Sequence, residues 1–330
     1  MTAIPEPSAP GPATVQEARR IDARWRARSV ASLWTRRLVI FAASLMLAVY
    51  ALAPIAWLVS SSFQTEAEII SVPPNWIPEA PTLRNFEAIF SAGEEDVTYE
   101  TRSGADPVSG GYIPSTASDL LPAMWNSFLV ASIVVVLNLL VAVPAAYGIA
   151  RIRFLGRNAS IYFILTTRVI PDIALVVPFF LVIRKLGLLD SIWSLVITYL
   201  AITVPFSVFI LVQFIEGLPE ELDRAARVDG CSRLQSLIHV HLPLAVPAIV
   251  ATVLFTFLTS WNEFLLALMF TQTVQSQTLP ILVAAFTSDF TISFSFINAA
   301  GVLAIVPPVI VAIVFERYIV SGLTAGAVKG

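Results

Sequence analysis

Few side chains in this sequence could do chemistry, and most of them lie inside apolar runs. Arg168 and Asp172 are four apart on one face of a hydrophobic stretch. An ionisable group in such a stretch is costly and is by default a functional candidate. The two either neutralise each other or line a pathway. Asn138 sits in another apolar run, where an amide more often makes an interhelical hydrogen bond than a ligand contact. Trp261, Asn262 and Glu263 stand together in a third run, again as pathway lining or as structural pairing. His239 and His241 face different sides of a helix with no third ligand at useful spacing, so no metal site is expected. No nucleophile–base pair is evident, and no catalytic residue, cofactor or nucleic-acid partner is expected. The two lysines, Lys185 and Lys329, do not follow glycine. A phosphate-cradling GxxxxGK[ST] loop is therefore absent, and active transport by this chain would need an energising partner.

The elements around these residues are membrane spans. Of 330 residues, 57% are hydrophobic and 13% charged, and the mean hydropathy is +0.80. Soluble domains carry about 25% charged residues. The composition implies an all-α polytopic membrane protein in contact with the lipid bilayer. Apolar runs at about 38–62, 126–149, 160–183, 192–215, 245–269 and 295–315 give six predicted transmembrane helices. The first run is too long for a signal core and reads as a retained span. Residues 1–14 are proline-rich and expected to be disordered. Residues 15–37 form either an interfacial lead-in helix or a solvated basic tail. With one cysteine, Cys231, no intrachain disulfide is possible.

Charge sets the topology. Residues 1–37 carry seven basic and three acidic residues; the polar stretch 63–119 carries two and ten. The loops 151–159 and 216–243 add six arginines to the side of the N-terminus, and only the connector 184–190 dissents. Both termini and the 216–243 loop are thus expected in the cytoplasm of a multi-pass plasma or inner membrane protein. The acidic 63–119 arm and the 271–293 loop are expected outside. The chain divides into a tail and lead-in helix (1–37), a six-span domain (38–320) and a glycine-rich, flexible cytoplasmic tail (321–330).

The segment Glu216–Pro247 is the charged exception among the spans. Pro219 suits a first helical turn, and Glu220, Glu221 and Asp223 follow where the helix dipole favours acids. Ala225 and Ala226 would let another protein's surface approach the backbone. Asp229-Gly230 ends the helix, since glycine accepts the left-handed conformation. Ser232 can cap a second short helix whose Leu234, Leu237 and Ile238 share a face. Pro243 and Pro247 lead into the fifth span. This helical elbow either docks a partner or packs on its own bundle.

The elbow resembles the EAA loop of ABC-importer permeases. Ala225-Ala226-Arg227-Val228-Asp229-Gly230 and Leu242-Pro243 stand at that loop's spacing. The motif's glutamate is Arg224 here, with Glu221 and Asp223 nearby. The stretches SSSFQTEAEIISVPPNWIPEAPTLRNF, NSFLVA, SWNEFLLALMF and GLTAGAVKG are similar to the carbohydrate-importing, maltose-permease-like branch, and residues 91–118 look like an insertion. The resemblance implies a permease subunit of a binding-protein-dependent sugar importer. It would pair with a second permease, two ATP-hydrolysing subunits and an extracytoplasmic sugar-binding protein. It also implies that the 220–243 loop couples the pathway to the ATPase through Glu221, Asp223, Arg224, Ala225, Ala226, Asp229, Gly230 and Pro243. The tail, with Gly326 and Lys329, would reach the ATPase dimer. Asn138, Arg168, Asp172, Trp261, Asn262 and Glu263 are the candidates for substrate contact. An ion-coupled carrier working without an ATPase is the rival reading; few acidic residues lie within the spans to support it.

Overall fold

A computed structural model describes residues 12–91, 117–286 and 294–327. The first eleven residues, most of the 91–118 stretch, the end of the 271–293 loop and Lys329 lie outside the described residues. Residues 1–57 and 58–330 form two compact units. Helix α1 runs from Pro12 to Ser62, so the expected lead-in helix and first span are one element. Within the first unit its membrane-length part begins at Arg36, and apolar side chains such as Met46 and Tyr50 are exposed along it.

The second unit begins with a pinned arm. Short helices α2 (Glu66–Ile69) and α3 (Arg84–Ser91) flank an irregular stretch. The Asn85 amide donates to the carbonyls of Ser62 and Gln64 at 2.9 and 3.1 Å. Gln64 Nε2 donates to Asn75 O at 2.7 Å. Long helix α4 (Leu120–Arg151) follows, then the bent pair α5 (Arg157–Thr167) and α6 (Asp172–Lys185), then long helix α7 (Ile192–Glu216). The elbow contains α8 (Glu221–Val228), α9 (Arg233–Ser236), a π turn (Leu237–His241) and α10 (Leu242–Leu244). The last elements are α11 (Val246–Trp261), α12 (Leu265–Phe270), α13 (Leu279–Ala285) and α14 (Phe294–Ala327). Glu66 accepts from the first amides of α14, Phe294 and Ser295, at 3.1 and 3.0 Å, and so caps that helix from the arm.

Every regular element among the described residues is helical, as the composition implied. Four helices alone have membrane-crossing length and polarity, and six spans result if each bent pair counts as one. The bundle centres on α4, which packs along α7, with α11 against both. Ala142, Ala146 and Ala150 of α4 recur every four residues and are buried against Val208, Leu211 and Ile215 of α7. Small side chains at this spacing let two backbones approach in a bilayer, where dispersion replaces the hydrophobic effect between helices.

Two predicted spans are not single helices. The third bends by 96° between α5 and α6. Pro171 disfavours helical geometry in the residue before it and starts the next helix. The fifth breaks after Trp261, so Asn262 and Glu263 lie between helices rather than mid-helix. The C-terminal segment also differs from expectation: α14 continues to Ala327, through residues read as a flexible tail.

At the end of the bundle remote from the elbow, Asp190 joins two connectors. Its backbone is left-handed (φ 58°). Its carboxylate accepts from Gln272 N and Thr273 N at 2.8 and 2.9 Å and from the Ser276 hydroxyl. The Ser276 hydroxyl, followed by those two amides, holds the carboxyl well below the usual carboxylate range. A depressed acid stabilises above its unfolded pKa of about 3.9 and loses that contribution as pH falls through the folded value. Protection of the Gln272 and Thr273 amides, measured against their intrinsic exchange rates, should therefore hold through pH 5–7 (roughly one unit or more above that pKa) and fall only in stronger acid. Asn also tolerates a left-handed backbone, so Asp190→Asn isolates the charge. It should raise exchange at both amides at neutral pH; unchanged exchange would refute the anchor.

Candidate functional site

The elbow follows from local sequence. Its first helix, α8, starts after Pro219 with Glu221 and Asp223 in its first turn. It stops at Asp229, and Gly230 takes φ +79°. Ser232 then caps α9: its hydroxyl accepts from Gln235 N at 3.3 Å while the Gln235 side chain accepts from Ser232 N at 2.8 Å, a complete capping box. The α9–α10 segment turns by 80° into α11. The turn is at Ala245, with Pro243 in α10 and Pro247 in the first turn of α11.

The outward face of α8 differs from the small-residue face expected. Ala226 is buried against its own bundle, whereas Ala225, Glu221, Arg224 and Asp229 are exposed and Val228 is 88% exposed. Leu234 and Ile238 also face outward, but Leu237 is buried, so these three do not share one face. Arg224 reaches Glu220 at 3.6 Å, an exposed pair that contributes little stability. The surface offered is Ala225 and Val228 rimmed by charge, beside Leu234 and Ile238.

Behind that surface lies a buried ionic cluster. Arg151, at the end of α4, places Nε 3.2 Å from Asp223 Oδ2. It also donates to the carbonyls of Ile215 and Leu218, both at 2.7 Å. His241 Nε2 approaches the same Asp223 oxygen at 3.4 Å. The side chains of Arg151, Asp223 and His241 are 8%, 18% and 0% exposed. The wide spacing of the π turn lays His241 Nδ1 3.2 Å from Ser236 O, five residues back. Tyr147 packs edge-on to the imidazole at 5.0 Å. One carboxylate of α8 thus pairs with α4 and with the lead into α11, and Arg151 links α4 in turn to the end of α7. Arg157 reinforces this end by donating to Ile149 O and Ala150 O and pairing with Glu216.

Sequence reasoning missed this cluster. It places Asp223 in the coupling loop as a first-turn acid without a buried partner, and weighs His241 only as a metal ligand. The two histidines do differ in environment: His239 is exposed and His241 buried.

The structure separates the residues proposed to line a pathway. Asn138 is fully buried and donates to Thr203 Oγ1 of α7 at 2.9 Å, which is the interhelical role. Arg168 and Asp172 do not pair, because the break at 168–171 puts them on different helices. Arg168 instead donates to Ile202 O at 3.1 Å and sits 5.9 Å from the Phe206 ring centroid. Asp172 is exposed in the first turn of α6. Trp261 is 3% exposed and stacked on Phe257, a core residue rather than a ligand platform. Asn262 is exposed and donates to Leu258 O at 2.9 Å. Glu263 accepts from Leu266 N at 2.8 Å, Ala267 N at 3.1 Å and the Tyr199 hydroxyl at 2.8 Å. It caps α12, and Asn-Glu ahead of an apolar run is the signal that could have shown it. Gly326 falls in the last turn of α14.

A similar anchor explains the NSFLVA stretch. The Asn126 amide donates to Val274 O and Gln277 O, both at 2.9 Å, and the Ser127 hydroxyl accepts from Leu279 N at 2.8 Å.

A model of the inner membrane component of binding-protein-dependent transport systems matches residues 138–324, which include the whole elbow. The chain belongs to that family. This permease is 34% identical over 290 residues to the sulfoquinovosyl glycerol transport system permease protein SmoH of Agrobacterium fabrum, covering 88% of this chain and 93% of that one. It is 33% identical to the trehalose/maltose transport system permease protein MalG of Thermococcus litoralis, covering 89% and 98%. The trehalose transport system permease protein SugB of Mycobacterium tuberculosis is 31% identical over 84% of this chain. Among solved structures, a chain of a bacterial ABC transporter that imports the acidic polysaccharide alginate has the same fold. The TM-score is 0.66 at 23% identity, over 86% of this permease and 97% of that chain.

Proposed function

We propose that this chain is a permease subunit of an ATP-driven sugar importer, forming half of the translocation pathway. Its partners are a second permease, two ATPase subunits and an extracytoplasmic sugar-binding protein. The termini and elbow face the cytoplasm, and the arm before α4 and the α12–α13 loop face outside; the positive charge near the elbow supports this orientation. The observation that carries the reading is the elbow, an exposed helix whose inner carboxylate lies against Arg151 of α4 and His241 of the π turn that leads into α11, with Arg151 in turn holding the end of α7. A partner that docks on Ala225, Val228 and the neighbouring charges, and moves on binding or hydrolysing ATP, pulls α4, α7 and α11 as one body. The relatives named above are permeases of sulfoquinovosyl glycerol, trehalose/maltose and trehalose transport systems, which supports a sugar as cargo. Asn138 is engaged in a helix pair and Trp261 in the core, so Arg168, Asp172, Asn262 and Glu263 are the candidates left in this subunit for sugar contact.

The test is reconstitution of the chain with its partner permease, ATPase and binding protein in proteoliposomes. Sugar uptake should require ATP inside the compartment that holds the ATPase and binding protein on the opposite side. Uptake by the chain alone, driven by an ion gradient and indifferent to ATP, would falsify the importer reading.

A further inference from the structure

Beside the elbow lies a cleft of about 500 Å³, and its walls are unusually cationic. Six arginines line it, Arg151, Arg153, Arg157, Arg224, Arg227 and Arg233, against two carboxylates, Glu220 and Asp223. Three of the arginines are engaged: Arg151 with Asp223, Arg157 with Glu216, and Arg224 with Glu220. Arg227 donates only to a backbone carbonyl, that of Asp223, at 3.2 Å. The side chains of Arg153 and Arg233 are exposed and make no hydrogen bond or ion pair to another described residue. Three guanidinium groups without a carboxylate thus surround one concave, polar space. Such forks suit the paired oxygens of a phosphate.

The neighbouring surface narrows the occupant. Phe154 and Leu155 lie between Arg153 and Arg157, and both are exposed. They lead onto α5, where Tyr162 and Phe163 are exposed in turn. A cationic cleft continuous with an apolar, uncovered helix face fits an amphiphile with an anionic head. A soluble phosphate would use only the first half of this surface.

We propose that the cleft binds the phosphate of an anionic phospholipid, with the acyl chains lying along α5. Lipid phosphate then bridges Arg153, beside α5, to Arg227 and Arg233 of the elbow, and bilayer charge stabilises the elbow's seat on the bundle. This rests on the membrane placement of the spans and not on the identity of the cargo.

The full-length chain, purified in a nonionic detergent, is titrated with phosphatidylglycerol, phosphatidylcholine and inorganic phosphate, and lipid adducts are counted by native mass spectrometry. Each free arginine is worth roughly fivefold, so phosphatidylglycerol should bind on the order of a hundredfold tighter than phosphatidylcholine. The double variant Arg153→Gln/Arg233→Gln should lose about 25-fold of this preference. Phe154→Ser/Leu155→Ser should weaken both lipids, and Lys185→Gln, in another connector, should change neither. The arginines removed are exposed, and monodisperse elution checks that the variants fold. Equal affinity for the two lipids overturns the proposal, as does an unchanged double variant. Displacement of phosphatidylglycerol by equimolar inorganic phosphate also overturns it, assigning the cleft to a soluble anion.

Discussion

Replacing Asp223 with alanine is expected to cost about 3 kcal/mol or more, because it leaves Arg151 buried beside no carboxylate. The wild-type ion pair need not be strongly stabilising in itself: desolvation of two charges offsets much of their attraction. Removing one partner is different, since the remaining charge keeps the penalty. Arg151 is only 8% exposed and is held in place by two carbonyls, and His241 loses the same neighbour. The function should suffer more than the fold. Arg151 still holds Ile215 and Leu218, so α4 and α7 stay joined, but α8 is no longer bonded to them. Sugar transported per ATP hydrolysed should fall severalfold while insertion and basal ATP hydrolysis persist. Asp223→Glu should recover part of the ratio. Arg151→Leu combined with Asp223→Leu should destabilise less than the sum of the single changes, by about 2 kcal/mol in the range seen for coupled neighbours. Strictly additive losses, or normal coupling in the alanine variant, would show that this carboxylate is not the link.

How far this site could be read from sequence depends on the range of the interactions that make it. The spans were legible because about twenty consecutive apolar residues is a one-dimensional signal. The elbow was legible for a similar reason: Pro219, the first-turn acids, Gly230 and Ser232 act on their immediate neighbours. The Arg151–Asp223–His241 cluster was not. Its members sit on separate elements, and no spacing rule joins the end of α4 to a π turn two spans later. Arg168 and Asp172 show the opposite error. Their four-residue spacing implied a shared face, yet Pro171 between them ends the helix on which that face depends. Trp261 and Glu263 were grouped as a ligand set because residue type alone cannot tell a buried aromatic from an exposed one, or a helix cap from a pathway carboxylate. The outward face of α8 was half-read: both alanines are small, but the rotation that buries Ala226 and exposes Ala225 and Val228 is set by how Leu222 and Asp223 seat on the bundle.

Gly230 gives the second large effect, and its cause differs from simple crowding. A Cβ placed there meets no atom of this chain within 4 Å, but the backbone holds φ +79°. A β-branched side chain in that conformation costs about 1–2 kcal/mol, and the strain falls on the single turn between α8 and α9. The turn is also closed by hydrogen bonds from Gly230 N to Arg227 O and from Cys231 N to Ala226 O, at 3.1 and 2.9 Å. Relief of the strain therefore unwinds the end of α8, where Val228 is presented. Gly230→Val should leave the spans folded yet reduce transport per ATP, with a weaker ATPase complex on size exclusion. Gly230→Asn is the discriminating variant, since asparagine enters the left-handed region at small cost. If the glycine serves backbone conformation, asparagine retains near-normal coupling while valine loses it. If it instead lets a partner's surface lie against the bare Cα, both variants fail alike, because the open space around Gly230 is then filled in the assembled importer.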